Sequence, residues 1–273
     1  MLFLGIKHFG GPETLLYSDN DSSARLPDFQ FYELEETPEG QVFFDGIPDT
    51  GLVGAIAAQH IVATKSMVLS VRIDSDLLPP VAVVKDMDLL EPMTIHRSGD
   101  LSVLTSEIPI PTEIAKPFAK ELVGWISSKK FRAVISLGGV ADPNRPDTDN
   151  PEVLYVTNAA KVFSSEVGLG KLKPLDSAFL VGSKAAFLLE CFRARIPTLG
   201  IFAQSFPNYP DPGASASALG ALSSMKELKV DLTDLVKSGE EMRVRFRDLM
   251  RRTAGEMERA QKSRELESPS LLV

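Results

Sequence analysis

Phe43-Phe44-Asp45-Gly46-Ile47-Pro48-Asp49-Thr50-Gly51-Leu52-Val53-Gly54, running on into Ala55-Ile56-Ala57-Ala58-Gln59-His60-Ile61-Val62, reads as a buried strand, a tight turn and a helix. The strand (42–46) breaks at Gly46, turns through Pro48-Asp49, and gives way to a small-residue helix over 51–63. Asp49 or Thr50 is the expected cap, because a short side-chain oxygen reaches the free N–H groups of a first helical turn. Gly54, Ala55, Ala57 and Ala58 let such a helix lie close on a sheet. A strand, a glycine-containing turn and a helix N-terminus also form the layout that binds anions. Here Asp45 and Asp49 oppose a phosphate, and Gly51-Leu52-Val53-Gly54 is only a fragment of a dinucleotide fingerprint. The stretch therefore marks architecture more than a reaction.

The chain has 273 residues, enough for one large α/β domain with a helical appendage. A net charge of −8 argues against nucleic acid as a partner, since such binding rests on basic side chains neutralising phosphates. No run approaches the roughly 18 uninterrupted apolar residues of a membrane helix. Cys191 is the single cysteine, set on the apolar face of a helix, where a thiol is inert packing in a reducing compartment. The expected location is the cytoplasm.

Outward from the opening stretch, residues 1–28 read as a leader or arm and Phe29–Leu34 as an edge strand. Met67–Ile73 is the next strand, followed by short β segments at 81–85, 93–97 and 101–105. Ser98-Gly99-Asp100 makes the last two a hairpin, so the sheet is expected to be mixed. Ile114, Phe118, Leu122 and Trp125 stand at helical spacing over 113–128. A strand over 131–137 ends in Gly138-Gly139, a polar loop fills 142–151, and Val153–Val156 is a further strand. Ala178–Gly182, the helix 184–194 and Pro197–Ala203 read as a strand–helix–strand crossover buried on both faces. Asp211-Pro212 caps and opens a helix that runs to about Met225. A charged helix over about 238–265 follows, with Glu241–Arg245, Asp248–Arg252 and Glu258–Lys262 as favourable i,i+4 pairs.

Catalytic signatures are scarce. The sequence has no phosphate loop of the G-x-x-x-x-G-K-[ST] type, no G-x-S-x-G elbow, and no C-x-x-C or H-x-x-x-H metal pair. His8, His60 and His96 share no motif, and Asp142, Asp147 and Asp149 read as a solvated acidic loop rather than a cation site. No metal or cofactor is expected. The candidate ligand pocket lies at strand ends: Thr50, Gly51, Ser106, Glu107, Gly138 and Gly139. Ser106-Glu107 closes the strand 101–105, where the carboxylate is a candidate for acid–base work.

Four landmarks, in this order and spacing, resemble the prokaryotic homologues of proteasome assembly chaperone two. They are Phe43–Val62; Leu104-Thr105-Ser106-Glu107-Ile108-Pro109; Ala178–Gly182 with its apolar helix and Ile196–Ile201; and Tyr209-Pro210-Asp211-Pro212 with the alanine/serine helix and Val230-Asp231-Leu232. The resemblance covers roughly residues 30–250. It implies a nucleoside-phosphorylase-like three-layer α/β/α sandwich around a mixed sheet, with a helical C-terminal extension. It also implies a homo-oligomer without established catalytic activity, and proteasome α subunits as partners. Chaperones of this kind that dock on the α ring do so through a tail ending hydrophobic–Tyr–any residue. This chain ends Leu271-Leu272-Val273, a candidate partner-binding tail with Leu272 where tyrosine would stand.

The expected organisation is a leader or arm (1–28), an α/β domain (29–236), a charged C-terminal helix (237–267) and a flexible tail (268–273). The expected function is a non-enzymatic, oligomeric interaction protein assisting assembly of the proteasome or another complex. The alternative is a nucleoside-phosphorylase-like enzyme, or a small-ligand sensor, with its pocket at the strand ends.

Overall fold

Phe43 and Phe44 are neighbours in sequence and fully buried on opposite faces of one sheet. Successive side chains of a strand point to opposite faces, so two adjacent phenylalanines require cover on both sides. Phe44 joins a core with Ala57, Ala58 and Ile61, whereas Phe43 joins one with Phe118, Trp125 and Phe187. The result is three layers. The computed structural model describes residues 28–85 and 87–244.

The strands are β1 (Gln30–Glu33), β2 (Val42–Gly46), β3 (Val68–Asp74), β4 (Val83–Lys85), β5 (Asp88–Leu90), β6 (Met93–Ser98), β7 (Leu101–Ser106), β8 (Ala133–Ala141), β9 (Val153–Thr157), β10 (Lys173–Pro174) and β11 (Thr198–Ser205). Nine of them form one sheet in the order β1-β3-β6-β7-β2-β8-β11-β9-β10, and β4 and β5 pair as a separate hairpin. β2 lies at the centre, parallel to both β7 and β8. β8 and β11 are also parallel, while β6–β7, β3–β6, β1–β3 and β9–β11 are antiparallel. The sheet is mixed, as the Ser98-Gly99-Asp100 hairpin requires.

The helices are α1 (Val53–Thr64), α2 (Ala115–Ser128), α3 (Ala160–Glu166), α4 (Gly182–Arg193) and α5 (Pro212–Ala221). The cores place α1 and α5 over one face and α2 and α4 over the other. A final helix opens at 233 and runs to 244, where the described residues end. It begins earlier than the expected 238, and the remainder of the charged helix, the tail and residues 1–27 lie outside the described residues. Its described turns sit on the body: Gly239 approaches Gly213 of α5 so closely that a Cβ would stand 2.5 Å from the Gly213 backbone.

Three local expectations need correction. The first concerns residues 178–181, which form no strand; the strand beside β11 is the antiparallel β9, and β8 is its parallel neighbour. With β9 and β10 occupying that flank of the sheet, Phe179 and Val181 are left exposed rather than buried on two faces. The second is that β8 does not stop at Gly138-Gly139. It continues to Ala141 in register with β11, because those glycines accommodate neighbours rather than break the strand. The third is that Asp49 makes no capping hydrogen bond to the Thr50–Leu52 turn, its carboxylate being engaged elsewhere. Asp211 does cap as expected, accepting from the Ala214 N–H at 2.9 Å.

Candidate functional site

The carboxyl ends of β2 and β8 meet the amino ends of α1 and α4, and charged groups converge there. Asp45, the fourth residue of β2, is fully buried. Its Oδ2 accepts from Ser136 Oγ at 2.6 Å and from Lys184 Nζ at 3.0 Å, and its Oδ1 accepts from the Ile47 N–H at 2.7 Å. A buried ion is tolerated only when paired and hydrogen-bonded, and Asp45 meets both conditions. Lys184, in the first turn of α4, is itself buried. A cation at a helix N-terminus opposes the helix dipole, so the Asp45 carboxylate is what holds it there.

Asp49 completes the cluster. Its Oδ2 accepts from the Gly139 N–H at 2.8 Å, while its Oδ1 is buried without a hydrogen-bond partner, although the residue as a whole stays partly exposed. Burial pushes its carboxyl up to about 6; Lys184 and the Gly139 N–H counteract this, and the Asp45 charge adds to it. Asp49 is thus a carboxyl poised near neutrality beside a buried lysine.

Of the residues singled out from sequence, Thr50, Gly51, Gly138 and Gly139 come together here, but as packed backbone. A Cβ on Gly139 would stand 2.2 Å from the Thr50 carbonyl oxygen, and one on Gly51 would stand 1.9 Å from Ser205 Oγ. Gly51 also adopts φ +64°, which L side chains rarely take. Ser106 and Glu107 sit one strand away, at the end of β7. Ser106 Oγ donates to the Ile108 carbonyl at 2.7 Å, and Glu107 accepts from Gln59 of α1 at 3.2 Å.

A second buried pair braces the same end of the sheet. Arg145, in the loop after β8, donates through Nε to Asp211 Oδ2 at 2.7 Å and through its other arm to Oδ1 at 3.1 Å. Its remaining nitrogen donates to the Thr148 carbonyl, and the guanidinium lies 5.3 Å from the Phe206 ring centre. The Asp211 N–H in turn donates to the Gly51 carbonyl at 2.8 Å, tying this lock to the opening turn.

Sequence reasoning missed Lys184, Ser136 and Arg145. Lys184 left a signal: a lone lysine opening an apolar helix needs a buried acid, and Asp45 was already in view. Arg145 left none, because a proline-laden polar loop gives no hint that its one arginine turns inward. His60 donates through Nε2 to the Asp231 carbonyl at 2.6 Å and takes no part in the cluster. Among the described residues no group of three or more metal-ligating side chains is disposed to hold a metal ion. Nor is any helix among them long and apolar enough to cross a membrane.

The fold as a whole has counterparts in known proteins. The PAC2 family model matches residues 43–250. This chain belongs to the PAC2 family. A curated relative, an uncharacterised protein of Methanocaldococcus jannaschii, is 22% identical over 211 residues, covering 77% of this chain and 86% of that protein. Pyrococcus furiosus PbaA, described as an archaeal homologue of proteasome-assembly chaperone, is 25% identical with a TM-score of 0.70, covering 85% of this chain and 99% of that one. Pyrococcus furiosus PbaB, described as an archaeal proteasome activator, is 18% identical with a TM-score of 0.71, covering 82% of this chain and all of that one (100%). These PAC2-type structures share its α/β fold.

Proposed function

We propose that this PAC2-family chain is a non-enzymatic, oligomeric interaction protein that assists assembly of the proteasome or of another complex. One observation carries the reading: the likeness to PbaA spans nearly all of that protein, whose description is proteasome-assembly chaperone homologue. The strand ends support it from the other side. Thr50, Gly51, Gly138 and Gly139 spend their small size on backbone contact, which leaves the chain's surfaces as its means of action. The partners in this reading are further copies of the chain and proteasome α subunits in the cytoplasm, with Leu271, Leu272 and Val273 as the partner-binding tail.

Pull-down of proteasome α subunits tests it, using the full chain and a chain lacking 268–273. Capture by the full chain and loss on truncation is the expected result. No capture by either removes the proteasome from the reading.

The partnerless, buried Oδ1 of Asp49 favours a second reading, a small-ligand sensor or nucleoside-phosphorylase-like enzyme acting at the strand ends. Ligands of open α/β sheets bind beyond the carboxyl ends of strands, where Asp49 stands. A ligand that binds only the folded chain raises its melting temperature. A thermal-shift screen against nucleosides, sugar phosphates and phosphate therefore separates the two: a flat result sets the ligand reading aside.

A further inference from the structure

Two open grooves stand out among the described residues. One, of about 330 Å³ along α4, is lined by Val156, Phe179, Leu180, Leu188, Leu189 and Phe192. Its side chains are apolar throughout, and hydrocarbon alone does not choose between occupants. The other, of about 470 Å³, runs between the edge strand β1 and one stripe of α2. Phe29–Tyr32 form one wall; Glu121, Gly124, Trp125 and Ser128, at helical spacing, form the other. This second groove carries features that select what fills it.

The first is backbone. β1 ends the nine-stranded sheet and has one neighbour in it, β3. The Leu34 N–H donates to the Ser70 carbonyl at 2.8 Å, and the register sets Tyr32 opposite Arg72 and Gln30 opposite Asp74. In an antiparallel pair, hydrogen-bonded residues alternate with residues whose backbone groups point away. Leu34, Tyr32 and Gln30 therefore bond toward β3, and the N–H and C=O groups of Phe31 and Glu33 point to the outer edge. The opposite end of the sheet is blunted, since β10 has two residues and one is Pro174, which has no N–H to give. β1, Gln30-Phe31-Tyr32-Glu33, carries neither proline nor lysine to protect it.

The second is side-chain chemistry. A strand added at this edge places the residue opposite Phe31 on the same face as Phe31, which is the groove. There Phe31 stacks on Trp125 with ring centres 5.4 Å apart, an aromatic floor for an apolar side chain. Gly124 beside it leaves room, since a Cβ there would meet nothing within 4 Å. Two residues along, the added strand is level with Phe29, which packs on Phe118, one helical turn from Glu121. Glu121 pairs with no base among the described residues, whereas Glu33 at the other end is held by Lys129 at 2.5 Å. An unpaired carboxylate on the rim of an apolar groove favours a basic partner. We infer that β1 and α2 form a docking groove for an extended segment of a partner protein. That segment joins the sheet as a further strand and carries an apolar and a basic side chain two residues apart. In this mode main-chain hydrogen bonds supply affinity and alternate side chains supply specificity. The inference goes beyond the proposed function, naming a contact surface that does not depend on residues 271–273.

Trp125 is the chain's single tryptophan, so its emission reads the groove directly. The probes are blocked heptapeptides of threonine with a central leucine and a lysine two residues before or after it, serving either strand direction. Control peptides carry glutamate for the lysine, or an N-methyl group on the leucine that removes the donor facing Phe31. The expected result is a saturable shift in Trp125 emission with a lysine peptide, and binding at least tenfold weaker for both controls. The Phe31 and Glu33 amides should exchange hydrogen at least tenfold more slowly in the complex. Gly124→Leu fills the groove from a position with open space and improves helix propensity, so it should keep the melting temperature and lose the shift. Glu121→Lys should turn the preference toward the glutamate peptide. Equal binding of the N-methyl peptide, or full binding by Gly124→Leu, overturns strand addition, and no response to any heptapeptide overturns the groove altogether. Phe31 and Glu33 amides that already exchange slowly in the free chain overturn a separate partner, because the edge is then covered by this chain or by a second copy. No α subunit enters these measurements, so their failure and that of the pull-down are distinguishable.

Discussion

The strand-end junction and the α4 groove share one helix and are built from opposite materials. The junction is closed and charged: Asp45, Lys184, Arg145 and Asp211 are each buried and each paired. The groove is open and apolar, and its most prominent side chain, Phe179, touches little of its own chain. Lys184 and Leu188–Leu189 belong to the same helix, so α4 is pinned at its first turn and lines an open groove further along. The contrast teaches that this PAC2 chain places its stability where the sequence looked functional and its exposed chemistry where the sequence looked like core.

That contrast can be broken by substitution, and the effects should fall in a definite order. Arg145→Ala leaves Asp211 charged, buried and short of its bidentate partner. Removing one member of a buried pair costs about 3–5 kcal/mol, to be read as a fall in the urea midpoint. A loss below about 1 kcal/mol would mean the lock is ornamental. Lys184→Met removes the cation from between two carboxylates and should cost about 3 kcal/mol at pH 7. The loss should shrink toward pH 5, because Asp49 can then take up a proton.

Asp49→Asn should act in the opposite direction. Its folded pKa of about 6 lies above the unfolded value of about 3.9. A raised folded pKa contributes stability that is complete below about pH 3.9 and is lost as pH rises through 6. Above pH 7 the ionised Asp49 is therefore a net cost, and the asparagine variant should gain on the order of 2 kcal/mol at pH 8. The stability of the unaltered chain should also fall between about pH 3.9 and 6 at this site, a slope the variant lacks. Equal pH profiles would contradict the assignment. Smallest of all, Phe179→Ser should change folding stability by no more than about 0.5 kcal/mol, because a fully exposed side chain has little to lose. A larger loss would show that the groove is part of the core after all.

Much of this architecture was legible from residues alone. Phe43-Phe44 announced a buried strand, Ser98-Gly99-Asp100 a mixed sheet, and Asp211-Pro212 a capped helix. Each is a local rule that tertiary structure had no reason to override. What was not legible came from long-range pairing. Ala178–Val181 carries the composition of a buried strand, but strandness needs a ladder partner, and that flank of the sheet is taken by β9 and β10. Met87 and Asp88 read as nothing in particular, since a short hairpin outside the main sheet has too few residues to show a period. Gly51 and Gly139 were expected to line a pocket at the strand ends, and in the fold they make close contacts with Ser205 and the Thr50 backbone. The buried cations were hidden because polar residues are ordinarily solvated, and only the fold reveals that Arg145 and Lys184 turn inward.

The central claim is that this chain works through its surfaces and its terminus while the charged junction holds it together. The direct measurement is the affinity of the full-length chain for proteasome α subunits, beside Asp49→Asn and a chain lacking 268–273. The account predicts that Asp49→Asn binds as tightly as the unaltered chain, and that the truncated chain binds at least tenfold more weakly. Loss of binding in Asp49→Asn with full binding by the truncated chain would contradict it.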